Sequence, residues 1–192
     1  MLARSLMLSL LSPMVLMGCA QPPFYESHAG APVANLRVLT GMQGTTFFTT
    51  RAQLDCKKDS DDSRLGVFSP MLFGDFVKER AGVNHKLSLP GGEGLPYTMF
   101  SEWKIDAEKP FFIHAYAVIH GGTGYVVGNT YVANNTEVND AAGFTPHADL
   151  TYEVTYGLNE GKPELHLFEI ATGDTGQVTR TRLPFDLGSL RC

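Results

Sequence analysis

The sequence predicts a mainly β protein: an antiparallel β-sandwich with one short helix, preceded by an apolar leader and a flexible stretch. Three observations predict it. Apolar and polar residues alternate with a period of two over several segments, most clearly Tyr97–Ile105 and Leu150–Tyr156. Turn signals rich in Gly, Pro and Asn divide those segments at short intervals, as in sandwiches. Only Ser69–Gly82 carries a helical pattern together with helix caps.

Taken in order, Leu36-Arg37-Val38 alternates, and Thr45–Thr50 is a β-branched and aromatic run after a Gly-containing turn. The charged stretch Asp55–Arg64 reads as an exposed loop. Its acidic residues lack the spacing of a calcium loop. In Ser69–Gly82, Ser69 suits the N-cap, Pro70 the first helical position and Gly82 the stop. Leu72, Phe73, Phe76 and Val77 share one face, which suits a plug for the sandwich or a lid over a ligand cavity.

After a Pro/Gly loop, Tyr97, Met99, Trp103 and Ile105 share one face of a strand. Phe111–Ile119 is nearly continuous in apolar residues, as expected of a central strand covered on both faces. His120–Gly124 reads as a turn and Tyr125–Ala133 as the returning strand, with a polar connection from Asn134 to Ala148. Leu150–Tyr156 and Pro163–Ala171 form a hairpin, with a bulge expected at Leu167-Phe168 where the apolar parity shifts. Gln177–Leu183 is the last strand.

Residues 1–18 have the layout of an export signal: Arg4, an apolar run from Leu6 to Met17, then small Gly18. The run is shorter than the roughly 20 residues of a comfortable membrane span. Leu16-Met17-Gly18-Cys19 resembles the lipobox of bacterial lipoproteins. The resemblance implies that Cys19 receives lipid and becomes the first mature residue. Ala20, in place of Asp, implies sorting to the outer membrane. Residues 20–34, rich in Pro, Ala, Gly and Ser, then read as a tether reaching at most about 45–50 Å. The expected organisation is a signal peptide at 1–18, a lipidated N-terminus and tether at 19–34, and the sandwich at 35–192. Phe144-Thr145-Pro146, Tyr152-Glu153-Val154 and Phe168-Glu169-Ile170 loosely resemble the closing strands of uncharacterised β-sandwich lipoproteins.

With Cys19 assigned to lipid, Cys56 and Cys192 remain in an oxidising compartment, where a disulfide between them is expected. Two buried thiols or an intermolecular bridge are the alternatives. Loss of Arg4 with the leader leaves 14 basic residues against 20 acidic ones, so the net charge moves from −5 to −6. That balance argues against nucleic acid as a partner. Arg180, Arg182 and Arg191 form the one late basic cluster, read as a solvated face.

Chemistry is sparse. His120-Gly121-Gly122 is similar to the oxyanion motif of lipases and esterases, but no G-x-S-x-G elbow accompanies it. His114 and His120 stand about 20 Å apart in a straight strand. His85, His147 and His166 lack zinc-site spacing. Gly91–Gly94 and Gly121–Gly124 lack the lysine of a phosphate loop. Glu153 and Glu169 can meet across adjacent strands, and Tyr97, Trp103, Tyr116, Tyr125 and Tyr131 read as core and cross-strand packing, with a sugar- or peptide-binding face as the alternative were their rings to lie outward. No catalytic residue, metal ligand or cofactor is assigned. The expectation is a lipid-anchored envelope protein with a membrane contact through its lipid and an envelope protein partner. It reads as a non-catalytic binding or scaffolding module; a hydrolase acting on glycan or peptide, or a small-ligand carrier, is the alternative.

Overall fold

A computed structural model describes residues 22–56, 61–69, 81–82, 84–127, 130–160 and 162–192, without the side chains of 61–62 and 120–134. The strands are β1 (Val33–Thr40), β2 (Gly44–Arg51), β3 (Asp61–Phe68), β4 (Phe100–Asp106) and β5 (Phe111–Val127), then β6 (Thr130–Phe144), β7 (Thr151–Asn159), β8 (Lys162–Thr172), β9 (Val178–Leu183) and β10 (Ser189–Arg191). A 3-10 turn, Tyr97–Met99, precedes β4. The leader, Cys19 and most of the expected helix (70–80) lie outside the described residues.

The strands form two five-stranded sheets, ordered β4-β1-β7-β8-β9 and β10-β6-β5-β2-β3. This is the expected sandwich. Period-two alternation turns Leu36, Val38, Trp103 and Val154 of one sheet towards Phe48, Ile113 and Phe144 of the other, all in one buried core. Each such side chain contributes roughly 1.5–3 kcal/mol by leaving water. Among the described strands every pair is antiparallel except β1 with β7, which run parallel from Asn35↔Thr151 to Thr40↔Tyr156. Local alternation carries no information on the direction of a partner distant in sequence.

Several expected boundaries move. Asp61–Arg64 belongs to β3, not to an exposed loop. The β5–β6 hairpin does not turn at His120; it runs on to Val127↔Thr130, and the glycines after His120 mark a register shift instead. The polar stretch from Asn134 is strand as far as Phe144. β8 pairs with β7 in unbroken register through Leu167 and Phe168, so the expected bulge is absent there.

The largest correction concerns the tether, because residues 22–31 are docked on the domain. Phe24 stacks on Trp103 with ring centroids 5.8 Å apart and lies under the Arg64 guanidinium. Tyr25 packs edge-on against Phe111. Backbone bonds Tyr25 N–H to Arg64 O (2.9 Å) and Arg64 N–H to Pro23 O (2.7 Å) tie the segment to β3. It therefore covers the seam between edge strands β3 and β4. Composition misses this because two adjacent aromatics carry the docking inside an otherwise linker-like stretch.

Candidate functional site

Asp106 is buried against His28 of the docked segment; beyond that pair, charged side chains enter the described part of the protein in three places. The first is the outer face of the sheet containing β1. Arg37 lies fully buried between Glu102 on β4 and Glu153 on β7, its register partners on either side. Its Nη2 and Nε reach Glu102 Oε1 at 2.8 and 3.0 Å, and Nη1 reaches Glu153 Oε2 at 3.1 Å. The loop before β4 closes over it: Nη2 also donates to Leu89 O (2.7 Å), while Leu87 N–H and Leu89 N–H donate to Glu102 Oε2. Arg180 on β9 completes the row on Glu153. Each charge has its partners, as a buried ion cluster requires. This is a staple for the loop, with no open valence for a ligand.

Lys86, beside that cluster, donates to the carbonyls of Tyr97 and Phe100 and lies over the Phe100 ring. Burial brings its pKa down to about 8, against the pull of Glu102. The second place is the outer face of the other sheet. There Arg51 donates to His114 Nδ1 at 2.9 Å and pairs with Asp55, next to the Cys56–Cys192 bridge. That disulfide, with Cα atoms 5.5 Å apart across a separation of 136 residues, ties the last residue to the loop after β2.

The third place is different, because its charges are not closed upon themselves. β9 leaves β8 at Leu183↔Leu167, crosses between the sheets through Pro184 and Phe185, and joins β6 as β10, where Arg191 pairs with Asp140. The crossing leaves a groove of about 440 Å³ at the seam opposite the docked N-terminal segment. Leu165, Leu167, Leu183 and Phe185 supply apolar walls; Asp140, Glu164, His166, Arg182 and Arg191 supply charge. Along Lys162–His166, β8 pairs only with β7 among the described strands, so its other edge borders the groove.

Two carboxylates in this groove are pushed in opposite directions. Asp140 is 6% exposed, and its carboxylate makes no hydrogen bond or ion pair among the described residues. Burial, aided by Glu164 and opposed by Arg191 and His114, raises its pKa to about 6. Glu164 is held below its ordinary value, first by the Asn159 amide at 2.6 Å and then by His166, Arg182 and Arg191. Arg182 donates to His166 Nδ1 at 2.9 Å and stands 3.5 Å from Glu164. Behind Asp140, Tyr156 of β7 is fully buried, and its hydroxyl lacks a hydrogen-bond partner. Burial raises the pKa of that phenol above its usual value, Asp140 adding to the effect.

No family model, curated protein or solved structure matches this chain.

The residues singled out in the sequence scatter. Glu153 faces Phe168 and Glu169 faces Tyr152, so the suggested carboxylate pair does not form; Glu153 serves Arg37 instead. The three late arginines are not one patch: Arg180 binds Glu153, while Arg182 and Arg191 line the groove. His85 stacks on buried Trp103 at 3.8 Å, and His147 sits beside Glu108. Among the described residues no three His, Cys, Asp or Glu side chains gather as metal ligands. Cys56 and Cys192 are joined as expected. Sequence reasoning passed over Arg37, Asp140 and Tyr156. For Arg37 a signal existed, a lone cation between Leu36 and Val38 in a β-forming run.

Proposed function

We propose that this protein is a non-catalytic binding module, held at the cell-envelope membrane by lipid on Cys19, with the groove between β6, β8 and β10 as its ligand site. One observation carries the binding reading: Asp140 lines the wall of an open groove, 6% exposed, with no partner for its carboxylate among the described residues. Buried polar groups are nearly always hydrogen-bonded; with no protein partner among the described residues, the Asp140 carboxylate is open to solvent or to a ligand in the groove. The lipid anchor rests on Leu16-Met17-Gly18-Cys19. Docking from Pro22 onward then puts two residues between Cys19 and the docked segment, a span of about 11 Å at most from Cys19 to Pro22. The β3/β4 seam would rest against the bilayer, with the groove on the opposite seam. Outer-membrane sorting through Ala20, and an envelope protein as partner, belong to the same reading.

Fractionation tests the anchor. Cys19→Ser is expected to move the protein from the membrane to the soluble fraction, and persistent membrane association would refute lipid attachment. The binding half is tested by whether substitutions at Asp140 abolish ligand uptake by the detergent-purified chain.

The opposed pKa shifts of Asp140 and Glu164 favour a second reading, an envelope hydrolase acting on glycan. Two carboxyls driven apart by their surroundings are the usual acid and base of such chemistry. Release of new reducing ends from an oligosaccharide, lost in both Asp140→Asn and Glu164→Gln, would select it over binding alone. Against it, Glu164 is already engaged by Asn159 and Arg182.

A further inference from the structure

The chemistry of the groove narrows what it takes. We infer that its ligand is a neutral, polyhydroxylated molecule of the saccharide class; this rests on the groove being a binding site, as proposed above. Acids and bases alternate around the rim: Asp140 beside Arg191, and Glu164 beside Arg182 and His166. A ligand of either single charge meets attraction and repulsion at adjacent points. A hydroxyl group donates and accepts at once, so neighbouring hydroxyls can donate to a carboxylate and accept from a guanidinium within one contact.

The site is built rather than accidental. Asp140 is 6% exposed and its carboxylate has no partner among the described residues, and the Tyr156 hydroxyl, likewise without one there, stands in its field from β7 of the opposite sheet. Arg191, the register partner of Asp140, forms no ion pair with it, so acceptor and donor both stay open. A neutral hydroxyl satisfies that desolvated carboxylate without bringing a charge into the field of Arg191. A zwitterion has two poles for a rim with five charged or titratable side chains, whereas a sugar distributes many hydroxyls. Leu183 and Phe185 offer an apolar strip for the C–H face of a ring, and about 440 Å³ falls within the ordinary range of small-molecule sites.

The test uses the full chain purified in detergent. It is screened on an array of neutral, acidic and amino-sugar oligosaccharides, with glycylglycine and spermidine as zwitterionic and cationic controls in calorimetry. Neutral oligosaccharides are expected to bind. Asp140→Asn and Arg191→Gln are each expected to weaken that binding tenfold or more while neither lowers the melting temperature by more than a few degrees. Arg191 is exposed, so its variant serves if Asp140→Asn alters folding. Asp140-dependent binding of glycylglycine or spermidine in place of sugars would overturn the saccharide assignment while keeping the groove as a binding site. Absence of any ligand, or glycan binding indifferent to both substitutions, would overturn the assignment and the site together.

Discussion

Arg37 and Glu153 lie side by side on parallel strands, Nη1 to Oε2 at 3.1 Å, with neither side chain reaching solvent. Glu102 holds the same guanidinium from the other flank. The cation is therefore the only member of the row that touches both acids and the overlying loop. Removing it leaves two buried carboxylates, of which Glu153 alone keeps a cation, Arg180. Arg37→Met is expected to destabilise the protein by about 3–5 kcal/mol, the range for breaking a buried pair from one side. Denaturant unfolding of parent and variant measures it. A loss under 1 kcal/mol would mean the row is not a staple.

The same loop approaches Arg37 through a residue without a side chain. A Cβ on Gly92 would fall 2.8 Å from Arg37 Nη2 and 3.3 Å from Leu89 O. The guanidinium cannot yield, because Glu102, Glu153 and Leu89 fix it from three directions. Gly92→Ala should therefore lift the loop, at a cost of about 1–3 kcal/mol. Faster amide exchange at Leu87 and Leu89, whose N–H groups donate to Glu102, is the local readout.

Cys56–Cys192 closes a separation of 136 residues, nearly the whole domain. On the chain-entropy model such a loop constrains the unfolded state by about 4–5 kcal/mol. The double variant Cys56→Ser/Cys192→Ser is expected to lose a large part of that, with β10 the first element to fray, since among the described strands its three residues pair only with β6. Peptide mapping without reduction should recover the linked pair. Two alkylatable thiols would refute the bridge.

How much of this was written in the chain depends on what holds each element. Strands that bury one face announced themselves: Trp103 and Ile105, or Tyr152, Val154 and Tyr156, alternate because the core demands it. β6 did not, because residues 135–137 lie exposed and its place there is fixed by the ladder with β5. β3 begins with charge and hid for the same reason. The groove was less legible still. Nothing local separates Asp140 from its neighbour Asn139; its burial comes from β8 and β10, which arrive more than 20 residues later. Desolvation is a tertiary property, and the sequence carries it only through topology.

That desolvation gives Asp140 a pH signature. Its carboxyl is raised from 3.8 to about 6 by burial, reinforced by Glu164 on β8 and opposed by Arg191 on β10 and His114 on β5, with the Tyr156 hydroxyl of β7 in the same field. Between about pH 4 and 6 the folded chain holds more protons at this site than the unfolded one. Stability from Asp140 is therefore full below about pH 4, declines as pH rises through that window, and stays lost above it. Asn has no proton to lose. Relative to the parent, Asp140→Asn should be indifferent near pH 4 and more stable by about 1–3 kcal/mol at pH 7.5, each pKa unit being worth about 1.4 kcal/mol. Comparing the two chains at each pH cancels Asp106 and Glu108, whose lowered carboxyls act with the opposite sign and do not interact with Asp140. Guanidinium unfolding at the two pH values decides it. A gain at both would point to a packing effect, and a gain at neither would mean that the Asp140 carboxylate is already partnered in solution.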